Sequence, residues 1–190
     1  MNATTILLAG VGGQGTILAA DLLAHASSAA GLDVKVSEIH GMAQRGGSVS
    51  TVVRFGQSVE SMVTDIGCAD CIVSFETTEA LRNLPYLKEG GFLLVNDETI
   101  KPLTVLTGKT GMPENVHDRL SDLGALLIPA TQLAIEAGNA KASNVVLLGA
   151  LSNKLSFPVE AWTETIKHRV PPKTIECNLA AFEAGRAYTC

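Results

Sequence analysis

The sequence predicts an α/β protein: a three-layer αβα fold whose middle layer is a mostly parallel, partly mixed sheet, followed by a helical last third. Three short apolar runs support this prediction, because residues 6–9, 71–75 and 92–95 suit the buried strands of such a sheet. The first run enters a glycine-rich turn at residues 10–15 and then a helical pattern. A strand, a glycine turn and a helix in this order are typical of a Rossmann-like βαβ unit.

A helix and a second strand complete the first βαβ unit. The helix begins after Gly15 and carries an apolar stripe made of Ile17, Leu18, Leu22 and Leu23. Gly31 stands where a left-handed residue would end this helix, and residues 34–37 form the next strand. Because a right-handed crossover joins strands that run in the same direction, we expect these two strands to be parallel.

A hairpin is predicted after the second strand. Apolar and polar residues alternate over residues 49–55, and Gly56 with Gln57 suits a two-residue turn that returns through residues 59–63. This hairpin would make the sheet partly mixed. A helix over residues 78–84 and a last strand over residues 125–128 complete the predicted α/β part.

Helices are predicted throughout the last third of the chain. Ser143 is expected to cap a helix that is apolar almost all round, and Gly149 within it would let a neighbouring helix approach closely. Pro158 suits the first position of a further helix. The final helix presents one apolar stripe, made of Ile175, Leu179 and Phe182.

Composition indicates one globular domain spanning residues 1–190. The chain is 46% hydrophobic and 17% charged, so it can bury one substantial core. The net charge is −5 and Lys and Arg never cluster beyond a pair, which argues against a nucleic-acid partner. The amino terminus lacks a basic segment and its first apolar run is too short for a signal peptide or a membrane span. We therefore expect a cytoplasmic protein that does not contact membranes.

The four cysteines are interpreted as reduced thiols. Cys68 and Cys71 have the spacing of metal ligands, but a second pair is lacking, because Cys177 and Cys190 lie thirteen residues apart. Two ligands do not close a metal site, so none is expected. Cys71 heads an apolar strand and is expected to be buried there.

The first candidate binding site is the glycine-rich turn. Gly10, Gly12 and Gly15 match the G-x-G-x-x-G spacing, with Gly13 and Gln14 between them. Without Cβ atoms the backbone can turn tightly and direct its N–H groups toward a phosphate or carboxylate at the start of the helix. The same glycines would also suit a tight turn that serves packing alone.

The second candidate is the polar segment 40–48, which contains His40, Gln44, Arg45 and Gly46. It follows the second strand and is therefore expected at the same carboxyl edge of the sheet, where ligands bind in open α/β proteins. Arg45 carries a permanent, planar charge suited to carboxylate or phosphate, and His40 and Gln44 can form hydrogen bonds. The alternative is that the glycines only route the chain and that Arg45 is a solvated charge.

Together, the two motifs resemble a known family. Residues 10–15 (G-V-G-G-Q-G) and residues 37–48 (S-E-I-H-G-M-A-Q-R-G-G-S) are similar to the gamma-type subunits of 2-oxoacid:ferredoxin oxidoreductases. The likeness runs through most of the chain, including residues 144–151 and 178–185. The first motif alone is generic, whereas the pair at this spacing is specific.

The resemblance implies an enzyme complex that oxidatively decarboxylates a 2-oxoacid, here an arylpyruvate such as indolepyruvate. Electrons would pass to ferredoxin and coenzyme A would take the acyl group. Such complexes use thiamine diphosphate and iron–sulfur clusters, yet this chain has no Gly-Asp-Gly motif followed by paired Asn and no run of four close cysteines. Those cofactors are therefore expected on a larger catalytic alpha subunit. This chain would have no catalytic residue, and its two glycine-rich loops would face that subunit and contact coenzyme A or the oxoacid.

Three alternatives remain open. A gamma-type subunit could instead serve pyruvate, 2-oxoglutarate or a branched-chain 2-oxoacid. A free-standing NAD(P)-binding oxidoreductase would place the pyrophosphate at Gly10, Gly12 and Gly15 and the ribose at Glu38. A binding module of the same fold with some other partner is the third alternative.

Overall fold

A six-stranded sheet forms the centre of the protein in a computed structural model, which describes residues 3–40 and 47–188. The strands are β1 (Thr4–Val11), β2 (Asp33–His40), β3 (Ser48–Gly56), β4 (Ala69–Ser74), β5 (Leu87–Asn96) and β6 (Leu126–Ile128). They lie in the order β2-β3-β1-β4-β5-β6. β1, β4, β5 and β6 pair in parallel, whereas β3 runs antiparallel to both β1 and β2. The predicted mixed, mostly parallel sheet is confirmed.

Helices cover both faces of this sheet. They are α1 (Thr16–Ala29), α2 (Thr77–Asn83), α3 (Leu103–Leu106), α4 (Val116–Asp122), α5 (Ala130–Glu136), α6 (Ser143–Ser152), α7 (Val159–Arg169) and α8 (Ile175–Ala187). One face packs against α1 and α5 to α8, and the other against α2 and α4. In the described ranges, every helix is too short or too polar to cross a membrane.

The continuous apolar runs form central strands because both faces of those strands are buried. In β1, Ile6 and Leu8 point into the larger core that α1 shares with the carboxyl-terminal helices. Leu7, between them, points into the smaller core beneath α2 and α4. The strands predicted over residues 71–75, 92–95 and 125–128 are confirmed as β4, β5 and β6, and Cys71 is buried as expected.

The predicted hairpin after β3 is wrong, because β3 pairs with β2 on one side and β1 on the other. Both edges of β3 are therefore occupied, and residues 59–63 form no strand. This segment is fixed from the side instead: the Arg54 guanidinium donates to the carbonyl oxygens of Ser61 and Val63 at 2.7 and 3.0 Å. β1 and β2 are parallel as expected, but β3 lies between them, so they are not neighbours.

Two predicted helix starts shift by one residue. Ser143 is the first residue of α6, and the cap position belongs to Ala142, which forms no side-chain cap. The reason is that a 3-10 turn, Ala140–Ala142, runs directly into α6, and its own start is capped by Asn139. Pro158 likewise precedes α7, with extended backbone (φ −59°, ψ 142°), and occupies its cap position.

α6 and α8 cross with their backbones in contact, as the small residues of α6 predicted. A Cβ atom added to Gly149 would overlap the carbonyl oxygen of Phe182, and one added to Gly185 would overlap that of Val146. α6 is buried from Asn144 to Ser152. The contact therefore buries one apolar helix against another at the centre of the larger core.

Candidate functional site

The first glycine loop is held in shape by its own glutamine. Gln14 Oε1 accepts a hydrogen bond from the Val11 N–H at 2.8 Å, and Gln14 Nε2 donates to the carbonyl of Phe75 at 3.0 Å. A Cβ atom on Gly10 would lie 2.8 Å from Gln14 Oε1, so glycine is needed for this arrangement. Gln14, predicted as a ligand-binding residue, thus ties the end of β1 to the end of β4.

The first glycine loop leads into α1 through two glycines with left-handed backbone conformation. Gly13 and Gly15 have φ values of 104° and 80°, and Gly15 occupies the cap position of α1. No side chain of the described residues caps α1, and its first turn contains no acidic residue. The amide of Asn144 donates to the Gly15 carbonyl at 3.2 Å, which brings the start of α6 beside the start of α1. The start of α1 therefore offers backbone N–H groups that no described side chain caps, a setting that favours anions.

The described end of the second glycine-rich segment, Gly47 and Ser48, lies next to the first loop. The Gly12 N–H donates to the carbonyl of Gly47 at 2.9 Å, one pair beyond the last β1–β3 pair of Val11 and Ser48. His40 ends β2, where its backbone pairs with Val49. The other predicted contacts in this segment lie outside the described residues: Gln44, Arg45 and Gly46.

The first glycine loop and Gly47 lie at the point where the helices change faces of the sheet. α1 follows β1 on one face, and α2 follows the adjacent parallel strand β4 on the other. Such a reversal opens a crevice at the carboxyl ends of the two strands, which is the ligand-binding position of doubly wound proteins. The first glycine loop forms one side of this crevice and the turn from β4 into α2 forms the other.

A buried carboxylate, missed by the sequence analysis, lies in that turn. Glu76 is only 1% exposed and caps α2 by accepting hydrogen bonds from the N–H groups of Thr78, at 2.9 Å, and Glu79. Burial raises the pKa of Glu76, the N–H groups oppose this, and the nearby Glu79 raises it further. The spacing of Glu76 and Glu79 at a helix start was the available signal, since an acid there often caps the helix.

Glu79 was also missed, although it contacts the second segment. Its carboxylate accepts a 2.6 Å hydrogen bond from Ser48 Oγ and lies 3.3 Å from Arg82 Nε. One turn later, Asn83 Oδ1 accepts from Ser50 Oγ at 3.2 Å. In sequence these residues belong to an ordinary polar helix face, so nothing indicated that they contact β3.

Asn96 joins the carboxyl ends of β4, β5 and β6. Its amide nitrogen donates to the carbonyl of Phe75 at 3.2 Å, and its oxygen accepts from the Ala130 N–H at 3.0 Å. The Phe75 carbonyl thus receives both the Gln14 and the Asn96 amides. This buried polar network fixes the strand ends beneath the glycine loop.

The cysteines and acids do not fit a metal or cluster. Among the residues that the structure covers, no three His, Cys, Asp or Glu side chains are grouped so as to hold a metal ion. Cys68 is exposed whereas Cys71 is buried, and burial raises the pKa of the Cys71 thiol. An iron–sulfur cluster needs thiolate ligands, and this pair offers neither the number nor the setting for it.

The position of Glu38 disfavours the NAD(P) alternative. In a dinucleotide site the acid that binds the ribose ends the strand beside the glycine loop. Here β3 separates β2, which carries Glu38, from β1. At the usual strand spacing, Glu38 is displaced from β1 by about 10 Å rather than about 5 Å.

A glycine turn, a helix start and a change of helix face at one sheet edge define a doubly wound α/β protein, a class that binds ligands at this edge. The family model for pyruvate ferredoxin/flavodoxin oxidoreductase matches residues 5–188. The chain therefore belongs to this family, and within it to the gamma-type subunits of 2-oxoacid:ferredoxin oxidoreductases.

Three relatives show the range of the similarity. The chain is 45% identical to the indolepyruvate oxidoreductase subunit IorB of Thermococcus kodakarensis, over 97% of this chain and 95% of that protein. It is 32% identical to the 2-oxoglutarate synthase subunit KorC of Methanothermobacter marburgensis, over 95% and 94% of the two chains. The solved gamma subunit of a keto/oxoacid ferredoxin oxidoreductase from Geobacter sulfurreducens PCA is 26% identical, with a TM-score of 0.70, over 96% and 95% of the two chains.

Proposed function

We propose that this chain is the small subunit of an indolepyruvate:ferredoxin oxidoreductase. The complex would convert arylpyruvates to aryl-acetyl-CoA by oxidative decarboxylation and pass the electrons to ferredoxin. The similarity to an indolepyruvate subunit (45%) exceeds that to a 2-oxoglutarate synthase subunit (32%) over nearly the same length, which favours the aryl substrate over the smaller 2-oxoacids.

In this proposal the larger alpha subunit carries the redox cofactors. Thiamine diphosphate supplies the carbanion chemistry of decarboxylation and iron–sulfur clusters carry the electrons. The proposal places the clusters on the partner because this sequence has no run of four close cysteines. The lone chain should therefore not turn over a 2-oxoacid.

The contribution of this chain would be an anion-binding surface that faces the alpha subunit. The observation that carries this role is the hydrogen bond from Gly12 to Gly47, which joins the two glycine-rich segments at one sheet edge. The helix start at Gly15, which no described side chain caps, adds partial positive charge, and Arg45 would add a full one. Exclusion of water at the subunit boundary would strengthen the attraction for the phosphates of coenzyme A or the oxoacid carboxylate.

The anion role is tested with Arg45→Ala in the complex reconstituted from both subunits. Loss of a charged contact should raise the KM for coenzyme A or the oxoacid about tenfold, while the subunits still co-elute. Arg119→Ala is the matched control, because it removes the same charge from the exposed surface of α4. Unchanged KM values with normal assembly would remove Arg45 from the site.

The substrate is tested by comparing kcat/KM of the complex for indolepyruvate, phenylpyruvate, pyruvate and 2-oxoglutarate. A preference for the two aryl compounds is expected, and a preference for either small 2-oxoacid would reassign the subunit. Titration of the lone chain with NADH, followed by fluorescence, should show no binding. Saturable binding would instead favour the free-standing NAD(P) enzyme.

A further inference from the structure

Helix α2 meets the start of β3 through two hydrogen bonds of matched spacing. Glu79 and Asn83 accept from Ser48 Oγ and Ser50 Oγ, at 2.6 and 3.2 Å. Four residues of helix advance about 6 Å, and two residues of strand advance nearly 7 Å. The distance between Glu79 and Asn83 along α2 therefore nearly matches the distance between Ser48 and Ser50 along β3, whose side chains point toward α2.

The Glu79 carboxylate is buried, so its hydrogen bonds and ion pairs must offset the cost of removing it from water. The residue is 3% exposed, and burial of a carboxylate is costly unless hydrogen bonds and charges satisfy it. Among the described residues its partners are Ser48 Oγ and the Arg82 guanidinium, whose side chain is itself 55% exposed. Because bonds to charged acceptors are stronger than neutral ones, the Ser48 contact should be the firmer of the two α2–β3 bonds.

This contact continues into the glycine loop. Ser48 follows Gly47, and the Gly47 carbonyl accepts the hydrogen bond from the Gly12 N–H. An unbroken series therefore runs from Glu79 through Ser48 and Gly47 to Gly12. α2 is thus attached to both sides of the crevice. Glu79 links it to the first glycine loop through Ser48 and Gly47, and the Glu76 cap links it to the turn after β4.

We propose that Glu79 is a positioning residue that, through Ser48, holds Gly47 against Gly12 and so fixes Gly47 relative to the first glycine loop. It contacts no ligand itself. The consequence for substrate binding rests on the proposed function, because the position of Gly47 matters to an anion only if both segments bind it. The positioning itself is a property of the isolated chain and is measured there.

The first measurement is hydrogen exchange at the Gly12 amide of the full-length chain, followed by NMR. Ser48→Ala and Glu79→Ala should each accelerate this exchange at least about tenfold, while the amide of Val73 in β4 is unaffected. Glu79→Gln keeps an acceptor for Ser48 and should restore most of the protection. The double variant should be no faster than either single variant, since both remove one interaction.

Ser50→Ala is the matched control. It removes the neighbouring α2–β3 bond from the same face of β3, two residues away, and should leave the Gly12 amide protected. Equal acceleration by all three alanine variants, or equal acceleration at Gly12 and Val73, would show general loosening and overturn the proposal. Unchanged exchange at Gly12 in Ser48→Ala and Glu79→Ala would overturn it directly.

The second measurement uses the complex with the large subunit. Ser48→Ala and Glu79→Ala should raise the KM for coenzyme A several-fold while kcat changes less than about twofold, and Glu79→Gln should restore the KM. A Gly12 amide that becomes labile without any change of KM supports the positioning role and contradicts the proposed anion surface. The two proposals can therefore fail separately.

Discussion

Two regions of the molecule depend on glycine for opposite physical reasons. At the contact of α6 with α8, Gly149 and Gly185 have no space for a Cβ atom, because the backbone of the other helix fills it. In the loop before α1, a Cβ atom on Gly13 would meet no atom of the described residues within 4 Å. Here the requirement is a left-handed backbone, with φ values of 104° at Gly13 and 80° at Gly15.

The difference separates glycines that are needed for packing from glycines that direct the backbone. The α6–α8 contact lies within the larger core and contributes to stability whether or not a ligand binds. The loop leaves Gly13 exposed at the sheet edge, where its conformation decides which way the N–H groups point. Substitutions should accordingly act on stability in the first region, and on both stability and binding in the second.

The largest effect is expected for Gly185→Ala. The new methyl group would overlap the carbonyl of Val146, and two packed helices cannot separate without opening the core. The free energy of unfolding should fall by about 3 kcal/mol, measured by urea denaturation. Gly111→Ala is the control, because a Cβ there has open space and no left-handed backbone, and it should change stability by less than about 0.5 kcal/mol. Similar losses in both variants would contradict a packing role for Gly185.

A smaller effect is expected for Gly15→Ala. Left-handed backbone disfavours any residue with a Cβ, and the added atom would lie 2.7 Å from Asn144 Nδ2. A loss of about 2 kcal/mol is expected in urea denaturation. In Gly13→Ala the backbone penalty is the same, but the added Cβ atom would meet no atom of the described residues. The free energy of unfolding should therefore fall by only about 1 kcal/mol. If the two variants lost the same stability, the contact between Asn144 and Gly15 would not constrain the loop.

The smallest expected effect is a change of stability with pH. It arises from the buried Glu76 at the sheet edge and not from the contact of α6 with α8. Burial raises the pKa of Glu76 in the folded chain, so the folded state holds this proton more tightly than the unfolded state does. The stabilisation is therefore complete below the ordinary carboxyl pKa and is lost as pH rises through the folded pKa. From pH 4 to 7, wild type should lose stability relative to Glu76→Gln, measured by urea titration at each pH. Parallel profiles would show that Glu76 does not titrate in this range.

The sequence predicted most of the fold because buried parallel strands need continuous apolar runs, and those runs are visible in the chain. The position of β3 was not predictable in the same way. Its alternating residues identify a strand with one face toward each core, but they do not say which strands flank it. Pairing with β1 and β2 is decided by tertiary contacts, so the predicted return strand over residues 59–63 failed.

The candidate site was predicted only in part. Glycine spacing identified the Gly10–Gly15 loop, because unusual backbone angles require a specific residue type. Glu76, Glu79 and Asn96 were missed, since their importance comes from burial, which the polar residues themselves do not reveal. Gln14 was predicted as a ligand-binding residue; its amide hydrogen-bonds within the protein, and its ligand role stays a prediction.

The insertion of β3 leaves β2 at the border of the sheet. The outward backbone groups of a border strand can recruit a strand from another molecule, which is a common route to aggregation. β2 carries Asp33, Lys35 and Glu38, and charged side chains oppose such recruitment. A preparation of the chain should therefore resist fibril growth from this border, despite eight residues of extended backbone.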